Sequence, residues 1–354
     1  MSRVDIQNLT KRFPTVTALQ SVSFGFAHGE FFVLQGPTGA GKTTTLRLIA
    51  GLEHQDEGSI LLDGKPIDGM TPAERDVAFV FQQYSLYPTM TVFDNLAFPL
   101  RSPLRKTPEP RITTIVEEAA EKLRITHLLK RKTAQLSGGE MQRVAIGRAI
   151  VRAPRLFLMD EPLSNLDAKL RETLRVELKH LQKTQGSTTL FVTHDQIEAL
   201  TMADRIAVLN EGRIAQQGTP DDIYDRPATT FVAQLVGTPK INLLAAARRD
   251  GMAVVQGGAI SVPAPRLALP ESFLLGIRPE DIRPDPAGAF TGKVVLTEPL
   301  GVETILHIRA GDLKLLCLVP GMARERVGDE IRFSVVREKL HFFGPDQARI
   351  VEQR

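Results

Sequence analysis

Glu30-Phe31-Phe32-Val33-Leu34-Gln35 runs straight into Gly36-Pro37-Thr38-Gly39-Ala40-Gly41-Lys42-Thr43, and the order of these two pieces decides the fold. The first is a short apolar run of the kind that forms a buried strand. The second fits G-x-x-x-x-G-K-[ST]. From Gly41 to Ala50 the residues read as a helix with Leu46 and Ile49 on one face. Strand, glycine loop and helix in that order form a phosphate-binding loop. Glycines let backbone amides approach a phosphate chain without a Cβ in the way. The helix adds its N-terminal amides and the positive end of its dipole. Lys42 supplies a point charge for the outer phosphates, and the Thr43 hydroxyl is a hard oxygen ligand suited to Mg²⁺.

Outward from this loop, the chain alternates strands and helices. Val4 and Ile6 alternate as in a strand, followed by a turn-rich Asn8–Thr10, and Ser21–Phe26 alternates again. Ile112, Ile115, Val116, Ala119, Ala120 and Leu123 mark an amphipathic helix behind a loop carrying Pro99, Pro103, Pro108 and Pro110. A further helix covers Met141–Val151, stopped near Pro154. Arg155–Met159 reads as a strand ending at Asp160-Glu161, and Leu166 to Leu181 as a long helix. Thr188–Thr193 is a strand, and Arg205–Leu209 with Arg213–Gln217 is a hairpin. In a doubly wound sheet, ligands sit at the carboxyl ends of strands, so Asp160 and Glu161 are expected to meet the phosphate loop. Asp160 is then the candidate to hold Mg²⁺ and Glu161 the candidate to orient or deprotonate an attacking water.

Helical periodicity fades after about residue 235. Phe273–Ile277, Lys293–Leu296, Thr304–Ile308, Lys314–Val319 and Ile331–Val336 are short β-like runs separated by Gly and Pro. They predict a small all-β domain, read as a barrel, with the boundary near Gly237-Thr238-Pro239.

Leu136-Ser137-Gly138-Gly139-Glu140-Met141-Gln142 resembles the signature of ABC-type ATPases, placed at the start of a helix. Other segments resemble the same family. Gln82 lies in a Q-loop-like Phe79–Tyr84, Ser164-Asn165-Leu166-Asp167 is similar to the D-loop, and His194 to the switch histidine. Pro72–Arg75, Tyr87-Pro88, Gly218–Tyr224, Phe231–Ala233, Gly276–Asp281 and Leu300–Glu303 resemble the carbohydrate-importer branch. The resemblance spans nearly the whole chain. One departure is Glu140, where the family most often has Gln.

The resemblance implies an α/β fold: a RecA-like P-loop nucleotide-binding domain over residues 1–235, with a helical insertion at about 88–153. An all-β OB-type (TOBE) regulatory barrel over 236–354 follows. It implies an ATPase, with ATP and Mg²⁺ as its nucleotide and metal. Phe13 would stack on the adenine. Gly36, Pro37, Thr38, Gly39, Ala40, Gly41, Lys42, Thr43 and Thr44 would surround the phosphates. Thr43, Gln82 and Asp160 would serve the metal, and Glu161, His194 and Gln82 catalysis. Leu136, Ser137, Gly138, Gly139, Glu140 and Gln142 would face the nucleotide of a second copy in a homodimer, with Ser164, Asn165, Leu166 and Asp167 at its interface. The implied partners are two transmembrane permease subunits, a periplasmic or extracellular substrate-binding protein, and a regulator on the C-terminal domain. The implied location is peripheral, on the cytoplasmic face of the bacterial cytoplasmic membrane. Importers of iron, sulfate or polyamines share such a tail, and soluble ABC ATPases of translation or repair share the motifs. The cargo is not named by this chain.

Composition narrows the remaining classes. Of 354 residues, 44 are Lys or Arg and 41 Asp or Glu, a net +3, with charges interspersed. This does not favour a nucleic-acid partner. Cys317 is the single cysteine, which excludes an intramolecular disulfide and a cysteine metal cluster and suits a reducing compartment. Met1–Asp5 leads into no apolar run, so no signal peptide is expected. No stretch approaches the roughly 20 apolar residues needed to cross a bilayer. Membrane-spanning helices would therefore come from another chain.

Overall fold

The computed structural model describes residues 2–103, 107–264 and 269–351; Met1 lies outside them. Contacts divide the chain into two compact units, Met1–Pro220 and Asp221–Arg354.

The first unit is layered. An antiparallel sheet is built from β1 (Val4–Phe13), β2 (Val16–Phe26), β4 (Glu57–Leu62) and β5 (Lys65–Pro66), in the order β2-β1-β4-β5. The larger sheet is built from β3 (Phe31–Gln35), β6 (Val77–Val80), β7 (Leu156–Asp160), β8 (Thr189–Thr193), β9 (Arg205–Asn210) and β10 (Arg213–Gly218). Its order is β10-β9-β3-β8-β7-β6, with β10 antiparallel at one edge and the other pairings parallel. Strands β3, β7 and β8 are buried at every position, as expected for parallel strands covered on both faces. Between the two sheets, α1 (Lys42–Ala50) shares one apolar core with both, through Leu46, Leu48 and Ile49 against Phe32, Leu34, Leu158 and Ile60. The C-terminus of α1 is held by Arg75, which is 1% exposed and donates to the carbonyls of Leu48 (2.7 Å) and Ile49 (3.0 Å). A cation at that end complements the helix dipole.

Between β6 and β7 the chain forms α2 (Val92–Ala97), α3 (Glu109–Lys122) and α4 (Gly138–Ile150). Pro110 lies inside the first turn of α3 rather than in the preceding loop. Proline fits there because the first-turn N–H has no intrahelical partner. Helices α5 (Ala168–Gln185) and α6 (Gln196–Met202) follow β7 and β8. The turn expected at Asn8–Thr10 is instead a bulge within β1. Asn8 has φ 50°, and the register with β2 shifts between Ile6 and Leu9.

The second unit contains most of α7 (Pro220–Asp225), together with α8 (Thr230–Leu235) and two antiparallel sheets. One sheet comprises β11 (Asn242–Arg249), β12 (Met252–Val255), β13 (Ser261–Pro263), β14 (Ser272–Ile277) and β20 (His341–Phe343). The other runs β15-β19-β16-β17-β18, formed by β15 (Ile282–Pro284), β16 (Phe290–Pro299), β17 (Glu303–Ala310), β18 (Leu313–Pro320) and β19 (Glu330–Val335). Its two ends approach each other, and the buried Cys317 thiol of β18 donates to the Ile282 carbonyl of β15 at 3.0 Å. The sheet is therefore a nearly closed barrel. Asn242 joins the two sheets, donating to the carbonyls of Ile277 (3.1 Å) and Leu316 (2.9 Å) and accepting from the Leu316 amide (2.7 Å). Arg278, 2% exposed, binds the carbonyls of Tyr224 and Val236 and so anchors the two short helices to the sheets.

Candidate functional site

The loop between β3 and α1 is shaped by its glycines. Gly41, the N-cap of α1, has φ 107°, and a Cβ there would lie 2.5 Å from the Ala18 carbonyl oxygen. Side chains are thus excluded on two counts, and the first amides of α1 stay accessible. Lys42 is 5% exposed, and its ammonium donates to the carbonyls of Gly36 (2.9 Å) and Pro37 (3.0 Å). The lysine is folded back over its own loop, with the Glu161 carboxylate 3.4 Å away.

The end of β7 meets this loop, as its two carboxylates predict. Thr43 Oγ1 donates to Asp160 Oδ1 at 3.1 Å. Burial pushes the Asp160 carboxyl above the usual range, partly offset by the Thr43 hydroxyl. The next residue, Glu161, sits in the left-handed region at φ 43°, held by its N–H to Val192 O at 3.0 Å. A non-glycine residue there costs roughly 1–2 kcal/mol, which the surrounding bonds must offset. The turn aims the carboxylate between Lys42 and His194, whose Nδ1 lies 2.8 Å from Glu161 Oε2. Three residues far apart in sequence thus form one chain of contacts.

Gln82 meets a different set. Its Nε2 donates to Ser164 Oγ at 3.2 Å, and Asn165 Nδ2 donates to the Gln82 carbonyl at 3.1 Å. Ser164 Oγ in turn donates to Glu161 O at 2.9 Å. No hydrogen bond among the described residues joins the Gln82 side chain to Thr43 or Asp160. Leu166 is buried, and Asp167 caps α5 by accepting from Leu170 N at 3.0 Å. Phe13 ends β1 in register with Val16 and is 37% exposed, with the Lys11 ammonium 5.1 Å from its ring centre.

Ser137 is the N-cap of α4 in a full capping box with Glu140. The Ser137 amide (2.8 Å) and hydroxyl (2.9 Å) both donate to Glu140 Oε2, and Glu140 N donates to Ser137 Oγ at 3.4 Å. The Ser137 amide, then its hydroxyl, hold the Glu140 carboxyl below the usual range. A capping box accepts Glu or Gln at this third position, which accounts for Glu140 as a local fit. Gly139 has a packing reason: a Cβ would come within 2.1 Å of Leu170 Cδ2. Leu136 and Gln142 are buried, Gln142 completely. Among the described residues, no hydrogen bond or ion pair connects Leu136–Gln142 with Gly36–Thr44. The phosphate loop, Asp160, Glu161 and His194 form one cluster. Gln82 and the Ser164–Asp167 segment join it through Glu161 O, and the Ser137 helix start stands apart.

Sequence reasoning missed three further residues. Arg148 donates to the carbonyls of Ser85 (2.7 Å) and Tyr84 (3.2 Å), with its guanidinium 5.5 Å from the Tyr87 ring centre. Glu198 is 3% exposed behind His194. Gln35 is fully buried, and neither of its amide atoms has a hydrogen-bond partner. Leaving a buried amide unpaired costs roughly 1–3 kcal/mol. Gln35→Leu, close in volume, is therefore expected to raise the urea midpoint; a lower midpoint would mean the amide is satisfied in solution.

Known proteins resemble both parts of the chain. The family model described as ABC transporter matches residues 19–164, and that described as TOBE domain matches 275–343. The trehalose/maltose import ATP-binding protein MalK of Thermococcus litoralis is 46% identical, over 97% of this chain and 98% of its own length. The sn-glycerol-3-phosphate import ATP-binding protein UgpC of Brucella abortus is 45% identical over 99% of each chain. The chain belongs to the ATP-binding subunits of ABC transporters. A dimeric post-hydrolysis state of an ATP-binding cassette, bound to ADP and Pi, is a structural neighbour at TM-score 0.55 and 32% identity. It covers 61% of this chain and 98% of the neighbour. As an ABC ATP-binding subunit the chain is an ATPase coupled to transport, with ATP as its nucleotide. Among the described residues, no helix is long and apolar enough to cross a membrane.

Proposed function

We propose that this chain powers the import of a carbohydrate or a related polyol or sugar derivative. Two copies would close around two ATP molecules on a pair of transmembrane permease subunits. The observation that carries the ATPase half is the Lys42–Glu161–His194 chain of contacts beside Thr43 and Asp160. Lys42 would leave its loop carbonyls to meet the outer phosphates. Glu161 would accept a proton from, or orient, the attacking water, with His194 fixing the far side of its carboxylate. Thr43 and Asp160 fit Mg²⁺: a hydroxyl and one carboxylate suffice for an ion bound largely by phosphates, and a buried carboxyl gains from a cation beside it. Bound there, Mg²⁺ would neutralise phosphate charge. Gln82 is proposed to approach this pair when the site fills, since its present partners belong to the Ser164–Asn165 turn. Phe13 would supply a stacking face for adenine.

The dimer reading rests on the Ser137 helix start. It has amides suited to an anion yet no bond to the phosphate loop of its own chain, so a second copy's nucleotide is its proposed ligand. A groove of about 650 Å³ in the first unit supports a membrane partner. Phe81, Tyr87, Phe98 and Arg148 line it, and Tyr87 and Phe98 are 38% and 45% exposed with ring centres 4.6 Å apart. Such a surface suits an apolar helix end of a permease, which would hold the chain at the cytoplasmic face of the membrane. A substrate-binding protein outside the membrane would choose the cargo, and the barrel unit would receive any regulator. The carbohydrate assignment is carried by the full-length likeness to sugar and glycerol-phosphate import proteins.

The test is the complex purified with its permease pair and binding protein. Sugar-loaded binding protein is expected to stimulate hydrolysis, and Phe98→Asp to abolish permease co-purification while ATP binding persists. Stimulation only by iron, sulfate or polyamine would replace the carbohydrate assignment.

A further inference from the structure

The His194 ring is 53% exposed, and its hydrogen-bond partner in the structure is Glu161. Little around the ring itself fixes it, so the position of Nδ1 is set by the backbone on either side. That backbone is anchored from beneath by a relay. Asp195 caps α6, accepting from Ile197 N (2.7 Å) and Glu198 N (3.1 Å). In an ordinary capping box the third helical residue, here Glu198, would accept directly from the Asp195 amide. Here a hydroxyl is inserted: the Asp195 amide donates to Thr193 Oγ1 at 2.9 Å, and Thr193 Oγ1 donates to Glu198 Oε2 at 2.6 Å. The two residues flanking His194 are therefore tied to one buried carboxylate. Arg171 adds a second tie, 3.6 Å from Asp195 and donating to Leu166 O at 2.9 Å in the Ser164–Asp167 turn.

Burying a carboxyl costs several kcal/mol unless it is well bonded. At 3% exposure, Glu198 accepts that cost for a single hydroxyl, where Leu or Met would fill the space at less expense. A helix cap alone does not require it, because Asp195 already serves α6.

We propose that Thr193 and Glu198 are a positioning pair for His194, holding its imidazole in register with the Glu161 carboxylate. This rests on the reading of His194 and Glu161 given above. The pair touches no reacting atom. It acts through the histidine, and a misplacement of about 1 Å at such a group costs up to a hundredfold in rate.

The test is steady-state ATP hydrolysis by the purified full-length chain, with folding followed by circular dichroism. Thr193→Val, which keeps the shape, and Glu198→Ala are each expected to lower kcat by about ten- to a hundredfold, with KM for ATP within about twofold. Glu198→Gln keeps an oxygen that accepts from Thr193 and is expected to restore kcat to within about threefold. In a His194→Ala background, Glu198→Ala is expected to change kcat by less than about twofold, since coupled residues are non-additive. Parent-level kcat in folded Thr193→Val and Glu198→Ala overturns the proposal. So does a full additional loss in the His194→Ala background, which would give Glu198 a separate structural role. If His194→Ala itself hydrolyses ATP at the parent rate, the assignment of His194 fails, and the positioning role falls with it.

Discussion

Glu161→Gln is expected to bind ATP normally and to hydrolyse it about a thousandfold more slowly. The substitution keeps the shape of a side chain whose backbone is already fixed by φ 43° and the bond from its N–H to Val192 O. What disappears is the negative charge between the Lys42 ammonium at 3.4 Å and His194 Nδ1 at 2.8 Å. An amide oxygen still accepts a hydrogen bond, but it has almost no basicity. Loss of a general base removes about 10²- to 10⁴-fold in rate. Binding is predicted to survive because the loop amides and Lys42 are untouched, and losing the Glu161 charge leaves Lys42 freer for phosphate. The measurement is phosphate release beside nucleotide binding in the same preparation. Turnover near that of the parent would remove Glu161 from the catalytic role.

The second large effect is expected at Ser137. Ser137→Arg should lower hydrolysis on the order of a hundredfold by keeping the second copy's phosphate from the α4 amides, a loss on the scale of a removed anion donor. ATP binding by the isolated chain should change by no more than about twofold, because nothing at Ser137 bonds to Gly36–Thr44 of its own chain. The substitution also deletes the cap on α4, since Glu140 N loses its acceptor. That loss is worth about 1 kcal/mol and appears equally in Ser137→Ala. Both variants also lose the hydroxyl as a donor, so the extra loss in Ser137→Arg over Ser137→Ala reports the bulk placed against the second copy's nucleotide rather than the helix. Loss of binding in the isolated Ser137→Arg chain would instead assign Ser137 to its own site.

The phosphate loop was legible because everything that defines it is local. A strand, a glycine turn and Lys42-Thr43 fall within fourteen consecutive positions, Glu30 to Thr43. The carboxylate end of β7 was legible because parallel sheets gather strand ends on one side. The tail was read only in part. Its β14 and β16–β19 alternate in the strand manner, whereas β11 reads Asn-Leu-Leu-Ala-Ala-Ala-Arg-Arg, whose alanines and arginines favour helix when taken alone. Only pairing with β12 and β14 makes it a strand. The bulge at Asn8 was hidden for a similar reason: a left-handed asparagine signals a turn until both neighbouring strands are seen to pass it. Contacts between distant segments had no local signal. The bond from Gln82 to Ser164 and the buried side of Glu198 depend on which strands lie adjacent. In sequence, Asp195-Gln196-Ile197-Glu198 spells only the start of a helix.

The thiol at the barrel seam has a practical side. Cys317 has no measurable exposure, donates to the Ile282 carbonyl, and is pushed up by burial to about 12, so at neutral pH it is almost wholly the unreactive thiol. It is also the single cysteine of the sequence. A surface cysteine engineered on the exposed side of α5, such as Val176→Cys, would then be the lone group taking up a maleimide spin label. Distances between two labelled copies could be followed through a catalytic cycle in a protein that still carries its native cysteine.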